Sequence, residues 1–331
     1  MMATTVLTTI DELQRLQPEW EGLWRRDRNA TPFQSPRWLL PWWKYFGSDG
    51  VASIAARDAA GTLMALLPLY ILRDDESDES LGMFLGTGVS DYLDLIVDAS
   101  DEGATSAVVN TLTSLDCQVW DFQQLRPSSP LLTAPLPEGW GDAVIEEERC
   151  PVLSLVGAGA ELENLLSTHF RKKIRYYRRQ LEKLGEVTFE SVARETLPEM
   201  LEALYALHAA RWSRRGLPGV LGDDVIQAFH RDAAAGMLDA GALRMYAIRA
   251  AGRIVAVFYG FAHQGSVYYY LSGYEPELER FSIGTLLVAH AIEEAVREGA
   301  TAFDFMRGAE EYKYTWGAVD RMNSRRQLFR S

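Results

Sequence analysis

Residues equipped for chemistry crowd the stretch Thr301–Gly317. It opens as an alternating strand, Ala302 to Phe305, and breaks at Arg307-Gly308. Glu310, Tyr312, Lys313, Tyr314 and Trp316 follow at once. Loops past the carboxyl ends of strands are where a sheet offers its chemistry. Here Glu310 is the carboxylate placed to take a proton, and Arg307 and Lys313 are cations able to hold an anion. A plainer reading also fits: Glu310 and Lys313, three residues apart, form an exposed ion pair. The spacing leaves both open. Asp304, between Phe303 and Phe305, takes the face opposite the aromatics.

Three further groups have the right residue types. His208, Arg211 and Trp212 fall within two helical turns. Leu204, His208 and Trp212 share a face, which favours a packed histidine, and Arg211 with Trp212 can wall a substrate through cation–π contact. Tyr268, Tyr269 and Tyr270 put a phenol on each face of a strand. Arg280-Phe-Ser-Ile-Gly-Thr285 leads into the apolar helix Leu286–Val296. A helix start exposes unpaired N–H groups and the positive end of the dipole, which suits phosphate. Ser282 is equally suited to cap an ordinary helix.

Periodicity supplies the elements that must position these groups. Helices are expected at 9–28, after Ser35-Pro36, at 101–115, 161–184, 195–214 and 223–236, and in Arg280–Glu298. Strands are expected at 51–57, 63–72, within 81–97, at 118–122, near 143–156, and at 186–192, 243–249, 254–262, 267–271 and 302–305. Residues 74–80 read as a solvated acidic loop and 126–141 as a Pro/Ser/Gly connector. The 161–184 helix carries Arg171, Lys172, Lys173, Arg175, Arg178, Arg179 and Lys183 around an apolar stripe. That is either a solvated face or a dock for an anion.

The whole chain narrows the options. A net charge of −13 over 331 residues argues against DNA or anionic-membrane binding outside this one basic helix. No apolar run reaches the length of a membrane span. The first residues lack the pattern of a signal peptide. Cys117 and Cys150 are the only cysteines, which gives no zinc site and no disulfide framework and suits the cytoplasm. No metal is expected.

The halves repeat one another. Ala59-Ala60-Gly61-Thr62-Leu63-Met64-Ala65-Leu66 matches Ala250-Ala251-Gly252-Arg253-Ile254-Val255-Ala256-Val257, and Trp120-Asp121-Phe122 matches Phe303-Asp304-Phe305. Only the second half has the Gly284 loop and the charged extension. We therefore read 1–150 as a degenerate scaffold half and 151–331 as the working half.

The motif set His208-x-x-Arg211-Trp212-x-x-x-Gly216, Tyr270-x-x-Gly273-Tyr274, Gly284 and Asp304-Phe305-x-Arg307-Gly308-x-Glu310-x-Tyr312-Lys313-x-x-Trp316-Gly317 resembles the GNAT domain of BioF2-like and CelD-like acetyltransferases. That group is related to the Fem peptidoglycan-bridge aminoacyltransferases, which also have two GNAT-like halves. The family's phosphate loop, Gln/Arg-x-x-Gly-x-Gly/Ala, aligns with Glu279, Ser282 and Gly284, so only the last glycine is retained. The resemblance implies a mixed-sheet α/β protein with a tandem duplicated GNAT-like acyltransferase fold. It implies transfer from acetyl-CoA or another acyl-CoA to an amine or hydroxyl of a small-molecule, sugar or polysaccharide-precursor acceptor. Leu271 and Gly273 would polarise the thioester carbonyl, and Ser282, Ile283, Gly284 and Thr285 would hold the phosphates. Glu310, Tyr270 and His208 would serve as proton-transfer groups. Arg211, Trp212, Arg307, Tyr312 and Lys313 would contact the substrate. Two alternatives stay open: an aminoacyl-tRNA-dependent Fem-like transferase, which the length of the basic helix does not favour, and a non-catalytic binding protein of polysaccharide synthesis. The oligomeric state is not encoded in any of these signals.

Overall fold

The computed structural model describes residues 2–48, 50–73, 79–98, 103–157, 166–214 and 216–330. Parts of the acidic loop (74–78) and of the expected helices at 101–115 and 161–184 (101–102 and 161–165) lie outside the described residues. The chain forms two compact units. One comprises Met1–Arg149 with Arg321–Ser331; the other is Cys150–Asp320.

The first unit opens with β1 (Ala3–Leu7), α1 (Ile10–Arg26) and α2 (Pro36–Phe46). A Thr9–Glu12 capping box starts α1, and Ser35 caps α2. The stripe Leu13, Leu16, Trp20, Leu23 and Trp24 is buried, as the spacing requires. Next come β2 (Ser53–Arg57), β3 (Leu63–Leu67), β4 (Leu69–Arg73), β5 (Ser80–Phe84), β6 (Ile96–Val97), α3 (Gly103–Ser114) and β7 (Val119–Leu125). The single strand expected at 63–72 is in fact two, broken before Leu69, and they serve different sheets. One sheet has the order β1-β2-β3-β6; β4, β5 and β7 stand together in the other, with β5 and β7 parallel. The 126–141 connector lies within this unit, and the chain leaves the unit inside β8 (Trp140–Ser154).

The second unit contains α4 (Thr168–Glu182), β9 (Val187–Ser191), α5 (Leu197–Ser213), α6 (Asp224–Asp239), β10 (Leu243–Ala250), β11 (Arg253–His263), β12 (Ser266–Tyr274), α7 (Ile283–Arg297), β13 (Ala302–Asp304) and α8 (Glu311–Tyr314). Its strands run in the order β8-β13-β12-β11-β10-β9. Neighbours are antiparallel except β12 and β13, which are parallel and joined through α7. Apolar residues of α7 (Leu286, Leu287, Ala291, Ile292) pack with Phe258, Val267 and Phe303 of the sheet. On the other face Gly273 lets α5 approach closely. A Cβ there would stand 2.9 Å from the His208 backbone nitrogen and 3.0 Å from Leu204 O.

The repeated triplets occupy equivalent places. β7 follows α3 and β13 follows α7, and each pairs in parallel with the strand preceding its helix or lying earlier in its unit. Asp121 and Asp304 are both buried. Asp121 receives Arg325 at 2.5 and 2.8 Å, whereas Asp304 accepts the Met306 N–H at 2.8 Å. A final strand, β14 (Val319–Arg330), was not anticipated from the sequence. It pairs antiparallel with β7 and so belongs mainly to the first unit.

Candidate active site

Strands β12 and β13 pair only at Ser266–Ala302, Val267–Phe303 and Tyr268–Asp304. β13 then ends, while β12 continues to Tyr274. Met306 and Gly308, both left-handed (φ 61° and 104°), turn the chain away. On the other side of β12, the register with β11 shifts between Tyr259 and Gly260, and Tyr270 is the extra residue. Such a bulge sharpens the local twist. Among the described residues, the far half of the strand therefore has one partner only, β11. Glu275 N donates to Val255 O at 2.8 Å. Antiparallel alternation therefore turns the N–H groups of Leu271 and Gly273 towards β11 and those of Ser272 and Tyr274 away from it. Ser272 and Tyr274, rather than Leu271 and Gly273, offer free donors on the open side.

A cleft of about 380 Å³ opens at this point. Ser272, Tyr269 and Tyr274 of β12 line it, with Arg211 of α5, Phe170 and Lys173 of α4, and Tyr312, Thr315 and Trp316 of the extension. Ser282, Ile283, Gly284 and Thr285 close it from the start of α7. Ser282 is itself left-handed (φ 49°), and its side chain makes no capping hydrogen bond. The N–H groups of the first turn are thus left for something else. Gly284 stands against the Tyr274 ring: a Cβ would touch it at 3.4 Å. Glu279 also lines the cleft, a carboxylate beside an otherwise anion-attracting rim.

Three hydroxyls connect inside the cleft. Tyr269 Oη and Ser272 Oγ are 2.5 Å apart, and Tyr312 hydrogen-bonds Tyr269. Burial raises the Tyr269 phenol's pKa, and that of Tyr312 shifts the same way because its hydroxyl end is withdrawn into the cleft although the residue as a whole is 42% exposed, so both are neutral proton carriers at ordinary pH. Arg211 lies over the Tyr274 ring, 4.9 Å from its centre.

Of the residues singled out from the sequence, Arg211, Tyr312, Ser282, Ile283, Gly284 and Thr285 meet in this cleft. Others lie elsewhere. Tyr270 faces the opposite side of the sheet, against His230, Tyr259 and Phe261. His208 is buried against Trp212, and burial lowers its pKa to about 4. Leu271 and Gly273 face β11 with their N–H groups, and Arg307 is not part of the lining. Lys313 is buried: its ammonium donates to the carbonyls of Met306 (3.3 Å), Arg307 (2.7 Å) and Gly308 (3.0 Å) and pairs with Glu310 at 2.9 Å. Glu310 is mostly exposed and bound to that lysine. Tyr269, Tyr274, Lys173 and Glu279 entered the sequence reading only as members of a tyrosine run, a motif, a basic helix and the phosphate loop, without an assigned role, and Ser272 did not enter it. The strand bulge explains Tyr269 and Ser272, because it swaps which tyrosine faces the cleft, and a bulge leaves no mark in a period-two pattern. Among the described residues no cluster of His, Cys, Asp and Glu could hold a metal, and no helix is long and apolar enough to cross a membrane.

Residues 168–314 match the family described as "Acetyltransferase (GNAT) domain". The second unit carries a GNAT acetyltransferase domain, and the enzyme class read from the sequence, a GNAT-type acyltransferase, holds. No curated protein matches the chain. Among solved structures, FemX superposes with a TM-score of 0.69 at 12% identity, covering 98% of this chain and 96% of FemX. The C-terminal domain of a putative lysylphosphatidylglycerol synthetase from Agrobacterium fabrum gives 0.60 at 13%, covering 95% and 91%. L-PGS from Bacillus licheniformis gives 0.55 at 13%, covering 89% and 92%. At such identities the likeness is one of fold. The mixed α/β, tandem GNAT-like fold expected from the sequence stands.

Proposed function

We propose that the protein transfers an acyl group from an acyl-CoA to an amine or hydroxyl, and that the first unit is a GNAT-like copy without the catalytic equipment. One observation carries this reading. The unpaired side of β12 and the uncapped start of α7 open into the same cleft. A thioester laid along β12 finds backbone donors at Ser272 and Tyr274 for its carbonyl. Its phosphates find the N–H groups and dipole of α7. The acceptor's nitrogen or oxygen attacks the carbonyl carbon and the C–S bond breaks. The Tyr312–Tyr269–Ser272 hydroxyls are the nearest groups to return a proton to the thiolate sulfur. Water rather than Glu310 is the better candidate to take the acceptor's proton, since Lys313 engages that carboxylate.

Calorimetry with acetyl-CoA tests the donor. Binding that disappears in Gly284→Glu, which drives a carboxylate into the phosphate position, is the expected result. No binding to the wild-type protein refutes it. The finer likeness, to BioF2-like and CelD-like enzymes acting in polysaccharide synthesis in the cytoplasm, belongs to the same proposal. A second reading keeps the fold and takes an aminoacyl-tRNA donor. Exposed Lys172, Lys173, Arg175 and Arg179 on α4 favour it, as does the likeness to FemX. It requires tRNA binding that persists near physiological salt.

A further inference from the structure

Arg211 differs from two other half-buried arginines of the second unit, Arg249 and Arg244. Arg249 is held by Glu190 and Glu199, and Arg244 by Glu298. Among the described residues no carboxylate pairs with Arg211, although its guanidinium lines the cleft and is partly withdrawn from water. A guanidinium so placed is poorly compensated by an aromatic face alone. Its planar fork matches a carboxylate with two parallel hydrogen bonds.

The donor's phosphates are served by α7, whereas Arg211 enters the same cleft from α5, over the Tyr274 ring and 4.9 Å from its centre. Arg211 instead keeps company with the Tyr269 and Tyr312 hydroxyls, both of which feel its charge. That is the end of the cleft where the acyl carbon would lie. Glu279, at the α7 rim, lines the same cleft without an ion pair among the described residues, so it does not occupy the Arg211 fork.

We propose that Arg211 anchors a carboxylate on the acceptor, so that the group acylated is the amine or hydroxyl of a carboxylate-bearing small molecule of the amino-acid type. This rests on the acyl-transfer reading above. With an amine acceptor, the nitrogen forms the new C–N bond, the C–S bond breaks, and one ammonium-derived proton ends on the thiol. Arg211 takes no part in that exchange; it positions the acceptor.

The test uses the full chain, acetyl-CoA and matched probes: glycine, alanine, serine and β-alanine, each beside its carboxamide. Thiol release gives kcat/KM, and calorimetry gives acetyl-CoA affinity separately. A charge-assisted bidentate contact predicts a preference of about tenfold or more for acid over amide. Arg211→Gln should erase the preference, Arg211→Lys should restore part of it, and acetyl-CoA affinity should move by less than about threefold. Equal use of acids and amides overturns the proposal. So does an Arg211→Gln variant that slows both alike, which would make Arg211 an oxyanion donor, or one that chiefly weakens acetyl-CoA. Acetyl-CoA binding without turnover of any acid above its amide also overturns it. If the wild-type protein binds no acetyl-CoA, the donor reading falls, and saturation-transfer NMR with the same pairs reads the anchor alone. An acid preference lost in Arg211→Gln then supports it, and equal signals sink it.

Discussion

Replacing Lys313 with methionine separates two roles for this residue. In the structure its ammonium is a clamp: three carbonyls of the turn 306–308 and one carboxylate surround it. Methionine keeps the length of the stem and removes the donors. Each bond from a charged donor contributes about 1.5–3 kcal/mol net. The 3.3 Å bond to Met306 O is the weakest, and water entering the turn will satisfy part of what is lost. The Glu310 pair adds under about 1 kcal/mol because that carboxylate is mostly exposed. The balance is a loss of about 3–5 kcal/mol, the range seen when one partner of a buried charge network is removed. Urea unfolding followed by tryptophan fluorescence measures it, and Glu310→Gln, at under about 1 kcal/mol, is the control. A Lys313→Met protein that is destabilised by less than about 1 kcal/mol, yet has a strongly raised KM, would refute the clamp. The ammonium would then belong to the substrate, as the sequence alone allowed.

Other consequences can be measured as directly. Tyr312→Phe should lower kcat about 10²-fold while leaving acetyl-CoA affinity alone, if its hydroxyl belongs to the proton path. Gly273→Ala should cost about 1–3 kcal/mol by thermal or urea unfolding, because the new methyl meets α5 backbone. Asp94 is buried, and its pKa rises from 3.8 to about 7. The folded state therefore keeps a proton that the unfolded chain has lost, and this contribution to stability fades as pH rises from about 4 towards 7. Stability of Asp94→Asn relative to wild type should rise across that window and level off above it. His208 works in the other direction: with a folded pKa of about 4, the unfolded chain gains the proton first. This one group should withdraw on the order of 3 kcal/mol of stability as pH falls from about 6.5 to 4, against the gain from Asp94 over the same window, and His208→Asn should lose less than the wild-type protein.

Much of the framework could be read from residue order because each element carries its own signal. The α1 stripe, the Ser35-Pro36 start of α2, the Gly252 turn and the apolar run of α7 are local patterns with local causes. The twin triplets around Asp121 and Asp304 were legible for the same reason. What escaped is non-local. β14 is rich in Arg and alternates poorly, so it looks like a polar tail. Its Asn323, Arg325 and Arg326 make sense only against Gln124, Asp121, Asp142 and two backbone carbonyls far away in sequence. The choice of Tyr269 over Tyr270 depends on a one-residue slip against β11. Lys313 reads as a surface cation until the left-handed turn at Met306 and Gly308 brings three carbonyls around it.

The path of β14 bears on how the protein is made. Synthesis runs from the amino end, so every strand and helix of the second unit is available before Arg321 leaves the ribosome. The first unit, although mostly translated earlier, must wait for its last strand. Until then Asp121 lacks Arg325, and Gln124 lacks Asn323. The second unit is thus the part able to finish first, and the first unit is the part exposed to misfolding while the chain is incomplete. Truncations at residue 320 should expose this order. They would leave the domain that carries the cleft intact in sequence and strip a paired strand from the other.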